Sequence, residues 1–560
     1  MLGSLVYGVA GLSPAKAQNV PALDHPPSSG SILQSNPVLS APGEPRGKSG
    51  EGRLVAPHPR QDDTKSGPAI HVARIEIGDV PPGLSAEVSA VLARYENQDM
   101  TLAALRNVAV LVTQVLLDHG ETLSYAYVPT QDIADGVVRL AIKRGRVEST
   151  TLESNHSLVS DRVLHAYLER GISPTGDVRS VQDQLTRMGD LPGVAAIVPT
   201  LSAGKTPGGT AVSVAVQPGR RVEALVMMDN AGSSTAGRNR MGAQLGVNSP
   251  LGLGDRLQAV AYGAPDFFQR NHDSDGGHTW IGRLSYDLPV GARGARLGVA
   301  ASRVNYVLGG GYRGLGDGYA TVYSLYGSYP VVRTQARNLS VSANLDFKRM
   351  SDNFFEIPND RKATALTLQL NGDEQGRLAG LPNIFQYQLG LTGGVLGNKD
   401  DWLEAHTDGR YVKTTQSLKL TQGLRKGIYV DLSVSAQQTS SNLDGAEKLV
   451  LGGPTAVRAY SNDAVSVDSG VIASATLNMA VPKVNGLTAQ VFYDWSHGRI
   501  RKFVTKGRDA VRMAGYGVGA TYTIDKRATM SLSYALRDGG DPLLGPQHKA
   551  MVWVNAAIRF

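Results

Sequence analysis

From about residue 221 to residue 560 the chain repeats one polarity pattern: apolar and polar side chains exchange at every position for about ten residues, and a polar connection follows. In 428–437, Ile428, Val430, Leu432, Val434 and Ala436 share one face, while Tyr429, Asp431, Ser433, Ser435 and Gln437 share the other. In 528–537, Met530, Leu532 and Tyr534 oppose Ser531, Ser533 and Arg537. A strand sends alternate side chains to opposite faces, so each segment is a strand with lipid on one side and water on the other. About 16 such segments occur, an even number as bacterial barrels require, with starts near 221, 238, 255, 278, 295, 319, 337, 362, 384, 410, 426, 468, 486, 511, 528 and 550. The expectation for 219–560 is a 16-stranded antiparallel transmembrane β-barrel, so the fold class is mainly β. Its last segment puts Val552, Val554, Ala556, Ile558 and the terminal Phe560 on the lipid face.

Upstream the period changes. Residues 71–77 alternate as a strand, and Leu102, Leu105, Val108, Val112, Val115 and Leu116 recur at helical spacing on a helix ending near Gly120. Strands follow at 123–129 and 137–142. A second unit repeats the theme, with a strand at 147–152, helices near 160–168 and 181–188, and strands at 195–201 and 210–216. Two small α+β domains are expected, over 70–145 and 146–218.

The first residues are apolar, and Ala15-Lys16-Ala17 supplies a small-residue cleavage pattern, so 1–17 reads as a signal peptide. Residues 18–69 are rich in Pro, Ser, Gly and charge and read as a linker, with length for a plug segment but no amphipathic helix that stands out. Gly43 to Ser49 imitate a phosphate loop, with three residues between the glycines instead of four and no preceding strand.

Composition narrows the function. Cysteine is absent, which removes disulfide scaffolds and thiolate metal sites, and no apolar run is long enough for a membrane helix. A net charge of +7 over 560 residues is too slight to point to nucleic acid. No histidine cluster has metal spacing, and 232–236 only approach a nucleophile elbow, without its final glycine. Neither an enzyme nor a cofactor or metal is expected.

One connection stands apart. In 447–460, Gly452, Gly453 and Pro454 break the alternation, and Arg458 follows in a loop between membrane strands. If the loop enters the lumen, its guanidinium needs an acidic partner. Alternation aims three carboxylates inward, Asp346, Asp431 and Asp494, and pattern alone does not choose among them.

The stretch Leu451-Gly452-Gly453-Pro454-Thr455-Ala456-Val457-Arg458-Ala459-Tyr460 resembles the L-G-G-x-x-x-V-R-G-Y signature of the two-partner secretion transporters (TpsB, the haemolysin secretion/activation family), with Ala459 in place of glycine. Phe492-Tyr493-Asp494-Trp495-Ser496 resembles the family's F-x-D-x-G, with Ser496 in place of glycine. Asn248 to Asp255 and Tyr329 to Arg333 are similar to further family stretches, and the α+β units resemble POTRA domains. The resemblance implies an outer-membrane pore with periplasmic POTRA domains that exports a large, unfolded, TpsA-type exoprotein, an adhesin or a cytolysin. It implies a loop–barrel lock of Val457, Arg458, Tyr460, Phe492 and Asp494, with Asp431 and Asp346 as alternative partners. It also makes Phe560 the signal read by the barrel-assembly machinery, and outer-membrane lipid the surrounding partner. An outer-membrane assembly or insertase factor shares POTRA units and the Arg loop, and is the alternative.

Overall fold

A computed structural model describes residues 28–34, 68–119, 121, 123–172, 176–206, 209–265, 275–334, 336–398, 406–503, 509–525, 527–544 and 547–560. The expected signal peptide and phosphate-loop imitation lie outside the described residues, as does most of the expected linker. Of that linker, 28–34 and 68–69 are described, and Ser29–Gln34 form a short helix, α1, inside the barrel. Six residues are too few for helical periodicity to show in a sequence. Contacts with the barrel stabilise this turn instead. Ser29 donates its backbone N–H to Asp352 at 2.7 Å, and Ile32 is buried among Tyr262, Tyr306 and Phe354 of the inner wall.

The first small domain runs β1 (Ala69–Val72), β2 (Arg74–Ile77), α2 (Ser85–Leu92), β3 (Gln98–Thr101), α3 (Leu102–Asp118), β4 (Tyr125–Tyr127) and β5 (Val137–Lys143). Its main sheet has the order β2-β5-β4, with β2 parallel to β5. Thr101 caps α3, its hydroxyl accepting from the Ala104 N–H. Leu105, Val108, Val112 and Leu116 of α3 are buried over the sheet, whereas Leu102, expected on that face, is 50% exposed at the helix start. The second domain repeats the plan with β6 (Arg146–Asn155), α4 (Asp161–Gly171), α5 (Val178–Gly189), β7 (Val194–Ala203) and β8 (Gly209–Pro218), in sheet order β6-β8-β7.

The barrel strands are β9 (Val222–Asp229), β10 (Arg240–Asn248), β11 (Arg256–Ala264), β12 (His278–Val290), β13 (Ala295–Val307), β14 (Gly316–Arg333), β15 (Arg337–Phe354) and β16 (Ile357–Leu378). They continue as β17 (Leu381–Asn398), β18 (Gly409–Arg425) and β19 (Ile428–Thr439). A two-residue ribbon, β20 (Leu449–Val450) and β21 (Ser466–Val467), interrupts the order before β22 (Ser469–Ala480), β23 (Leu487–Arg499), β24 (Ala510–Ile524), β25 (Ala528–Arg537) and β26 (Ala550–Arg559). Sixteen strands close the barrel when β26 pairs antiparallel with β9. Closure satisfies every edge, which a hydrocarbon environment demands. Leu432, Val434, Leu532, Tyr534, Val552 and Val554 point outward and are exposed, while Gln437, Asp494, Ser496 and Trp553 point inward and are buried.

The second domain is fastened to one rim of the barrel. Arg333, at the end of β14, grips Asp190 with a planar fork, Nε–Oδ2 2.6 Å and Nη2–Oδ1 2.7 Å. Arg187 donates to the carbonyls of Arg293 and Pro330, Gln184 to that of Ala292, and the Ser249 hydroxyl to that of Pro192. Helix α5 therefore meets the rim through carbonyls and one two-point ion pair, while Ala292 of the rim packs against the domain's apolar core. Arg333→Ala should weaken this docking by about 1–2 kcal/mol. Hydrogen exchange of the rim amides at 292–294 should then rise about tenfold, with the outward strands unchanged.

Candidate functional site: the loop inside the barrel

Between β19 and β22 the chain does not hang in solvent. Segment 440–468 turns into the lumen, where Leu443, Asp444, Glu447, Leu451, Val457, Tyr460 and Asp468 are all buried. Its tip is a knot of short backbone bonds: Val457 N–H to Leu451 C=O, Ala456 N–H to Gly453 C=O, and Gly453 N–H to Tyr460 C=O at 3.0–3.1 Å. Gly453 holds φ +99°, where L side chains are strained, and a methyl there would run into Asn462.

The knot presents Arg458 to the wall. The Arg458 Nε donates to Asp494 Oδ2 at 2.8 Å, its Nη2 to Oδ1 at 2.7 Å, and its backbone N–H to Oδ2 at 3.1 Å. Nη2 also reaches the hydroxyls of Ser474 and Thr476 on β22, both at 3.1 Å. Ser474 donates back to Asp494 Oδ1 at 2.7 Å. The guanidinium lies 3.4 Å from the centroid of the Phe492 ring, and the Arg458 carbonyl accepts from Trp553 Nε1 at 2.7 Å. Asp494 has no exposed side-chain surface. A carboxylate so deep is tolerable only because every lone-pair direction has a donor.

Of the other residues expected from the sequence, Val457, Tyr460 and Phe492 pack beside this pair, and Asp431, Asp346 and Phe560 have partners elsewhere. Val457 and Tyr460 are buried with Leu451, Phe492 and Met513 in one apolar cluster. Of the alternative partners, Asp431 lies opposite Thr476 on β22, two residues along from the level of Asp494, and bonds Thr421 and Asn478. Asp346, on β15, accepts from Ser324 and Asn344. Phe560 is exposed at the end of β26 and donates its N–H to the Ala224 carbonyl on β9. Ser233 and Ser234 of the elbow-like stretch both bond Asp463 of the loop.

A second set of anchors went unread in the sequence. Glu447 is bound by Lys348 of β15 at 2.5 Å and Lys413 of β18 at 2.8 Å. Arg361 of β16 bridges Asp444 of the loop to Asp352 of β15, the same carboxylate that receives the Ser29 N–H of α1. Lys448 pairs with Asp468 at 3.0 Å. Strand alternation could have flagged Lys348, Lys413 and Arg361 as inward cations, just as it flagged the inward carboxylates.

The departure from glycine at 459 has a physical answer. Ala459 is not among the residues with positive φ, and its methyl packs where Gly515 of β24 has none. A methyl at 515 would overlap it. Gly515→Ala should therefore push the knot off the wall at a cost of about 1–3 kcal/mol, seen as faster hydrogen exchange over 451–460. Adding Ala459→Gly should return the exchange toward wild type.

Known proteins agree with this architecture. The family model described as haemolysin secretion/activation protein ShlB/FhaC/HecB matches residues 208–522, and the ShlB-type POTRA domain model matches residues 70–145. The heme/hemopexin transporter protein HuxB of Haemophilus influenzae is 24% identical over 581 aligned residues, spanning 100% of this chain and 99% of that protein. Among solved structures, CdiB from Escherichia coli superimposes with a TM-score of 0.64 at 20% identity, over 90% of this chain and 92% of that one. BamA from Haemophilus ducreyi lacking POTRA domains 1–3 superimposes with a TM-score of 0.51 at 12% identity, over 88% of this chain and 100% of that one. The small domains thus face the periplasm and the barrel spans the outer membrane. The chain belongs to the haemolysin secretion/activation family, the outer-membrane transporters of two-partner secretion.

Proposed function

We propose that this chain exports one large, unfolded partner exoprotein, and that the Arg458–Asp494 pair holds the lumen loop in the conformation export requires. The buried, two-point bond between the loop and β23 carries the reading. It ties the loop to the wall two strands further along the chain, and losing either partner leaves a charge unpaired in the lumen, at roughly 3–5 kcal/mol. A loop that must shift to clear a path, yet return to one place, is served by such a two-sided contact. The inward wall is rich in Ser, Thr, Asn and Gln, such as Ser433, Thr476, Asn478 and Gln490, so a polar extended chain has little to adhere to.

The POTRA domains, over 70–145 and 146–218, gather the client. Strand β4 lies at the edge of its sheet, with Tyr125 and Tyr127 both exposed and their ring centroids 6.0 Å apart. An extended segment could add a strand there, with main-chain bonds giving affinity and the rings gripping side chains. Folding of the client outside the cell supplies direction without ATP. Phe560 serves as the signal for the assembly machinery when the barrel inserts. An assembly factor, which shares POTRA units and the Arg loop, is the second reading; the likeness to BamA is one of fold alone.

Co-expression with a candidate exoprotein, followed by assay of the medium of intact cells, tests the proposal. Arg458→Ala and Asp494→Ala should each cut secretion at least about tenfold while the barrel still inserts, and the double variant should be no worse than either single one. Undiminished secretion by both would remove the lock from the mechanism. Deleting 70–218 should leave an inserted, conducting barrel that exports nothing; continued export would place client recognition elsewhere.

A further inference from the structure

The outward surface carries a row of cations that export does not use. Arg303 on β13, Thr321 on β14, Arg349 on β15 and Lys362 on β16 are in direct register across adjacent strands. Alternation turns all four outward, and Arg303, Arg349 and Lys362 are exposed. Arg410 of β18, also outward, lies opposite Val395, which is opposite Thr364, one outward position below Lys362. Two like charges directly opposite on neighbouring strands destabilise a sheet, and lipid beside them worsens the repulsion. Yet Arg349 and Lys362 face each other in that way, and neither has an ion-pair partner among the described residues.

Position decides what the row meets. The next outward row on the POTRA side contains Ala301, Tyr323 and Phe347, and the one after it Val299, Leu325, Leu345 and Leu366. These are the hydrocarbon band, with Tyr323 and Phe347 about half exposed. The row on the other side is polar: Asn305, Tyr319, Ser351 and Asp360, with Asp317 one step further out. Each step is about 7 Å along the strand. The cations thus sit at the boundary between acyl chains and headgroups, at the rim away from the POTRA domains. Arg303 is already oriented, its Nε bonded to Asn305 at 3.0 Å and its guanidinium 4.6 Å from the Tyr319 ring centroid.

We propose that this row, Arg303, Arg349 and Lys362 with Arg410 at its flank, is a binding site for the phosphate groups of a phosphorylated glycolipid of the outer leaflet, a lipopolysaccharide. Anionic headgroup oxygens between Arg349 and Lys362 would convert the repulsion into two charge-assisted contacts, with arginine offering a planar fork to each phosphate. The acyl chains would lie along Tyr323, Phe347 and Leu325. Asp360 and Asp317 lie beyond the row, toward the sugars, where they do not meet the phosphates.

The test uses the full chain, purified in detergent and freed of lipid. Its barrel unfolding temperature is followed while deep-rough lipopolysaccharide is added, in parallel with the same glycolipid after enzymatic removal of its phosphates and with phosphatidylglycerol. The expected result is a saturable rise with the phosphorylated glycolipid alone, its half-saturation about tenfold higher in the Arg349→Gln/Lys362→Gln double variant. Lys362→Arg, which keeps the charge, should titrate as wild type. Should the double variant not insert, Lys362→Gln alone carries the comparison, with a smaller shift in the same direction. Equal titration of wild type and the glutamine variants would overturn the site. An equal response to the dephosphorylated glycolipid would reduce it to apolar contact, and an equal response to phosphatidylglycerol to general anion attraction; either overturns the assignment.

Discussion

A charge taken out of water must find its counter-charge, and in this barrel that constraint places the loop. Arg458 and Asp494 are each costly in the lumen alone, and together, with Ser474, Thr476 and the Phe492 ring, they are satisfied. Geometry adds specificity. A planar fork on a carboxylate fixes orientation as well as distance, so the knot around Gly453 has one seat on β23.

The same rule repeats along the loop with the signs reversed. Glu447 between Lys348 and Lys413, and Asp444 against Arg361, tie the near half of the loop to β15, β16 and β18, while Arg458 ties the tip to β22 and β23. The loop is thereby stitched across the lumen between separate sectors of the wall. Helix α1 joins the network at Asp352, which serves Arg361 and the Ser29 N–H together. A displacement of α1 therefore changes the surroundings of Arg361, and through it the root of the loop. This coupling is a chain of shared hydrogen-bond partners, and it links an N-terminal segment to a loop more than 400 residues away by physical contact.

The barrel supplies both environments from one pattern. Alternate positions of β15 give lipid Phe347 and the headgroup level Arg349, and give the lumen Lys348 and Asp346. A shift of register by one residue would exchange these sets, which is why closure through β26 and β9 matters for the site as well as for the fold.

The sequence by itself determined the strands, because two-residue alternation between lipid and water is a local property: the starts expected at 278, 295, 337, 528 and 550 are those observed, and the least accurate, 362, falls five residues inside β16. It also determined which residues face inward, and so the short set of carboxylates that could meet Arg458. Only the tertiary structure decided among Asp346, Asp431 and Asp494, because depth along a strand and the reach of a folded loop are not written in alternation. It likewise decided that Ser29–Gln34 form a helix, whose bonds to Asp352 and Arg361 come from residues far along the chain. The replacement at Ala459 is answered in the same way, by the absence of a side chain at Gly515. Local polarity is carried by neighbours in sequence, whereas pairing of buried charge depends on which distant residues the closed barrel brings within hydrogen-bond reach.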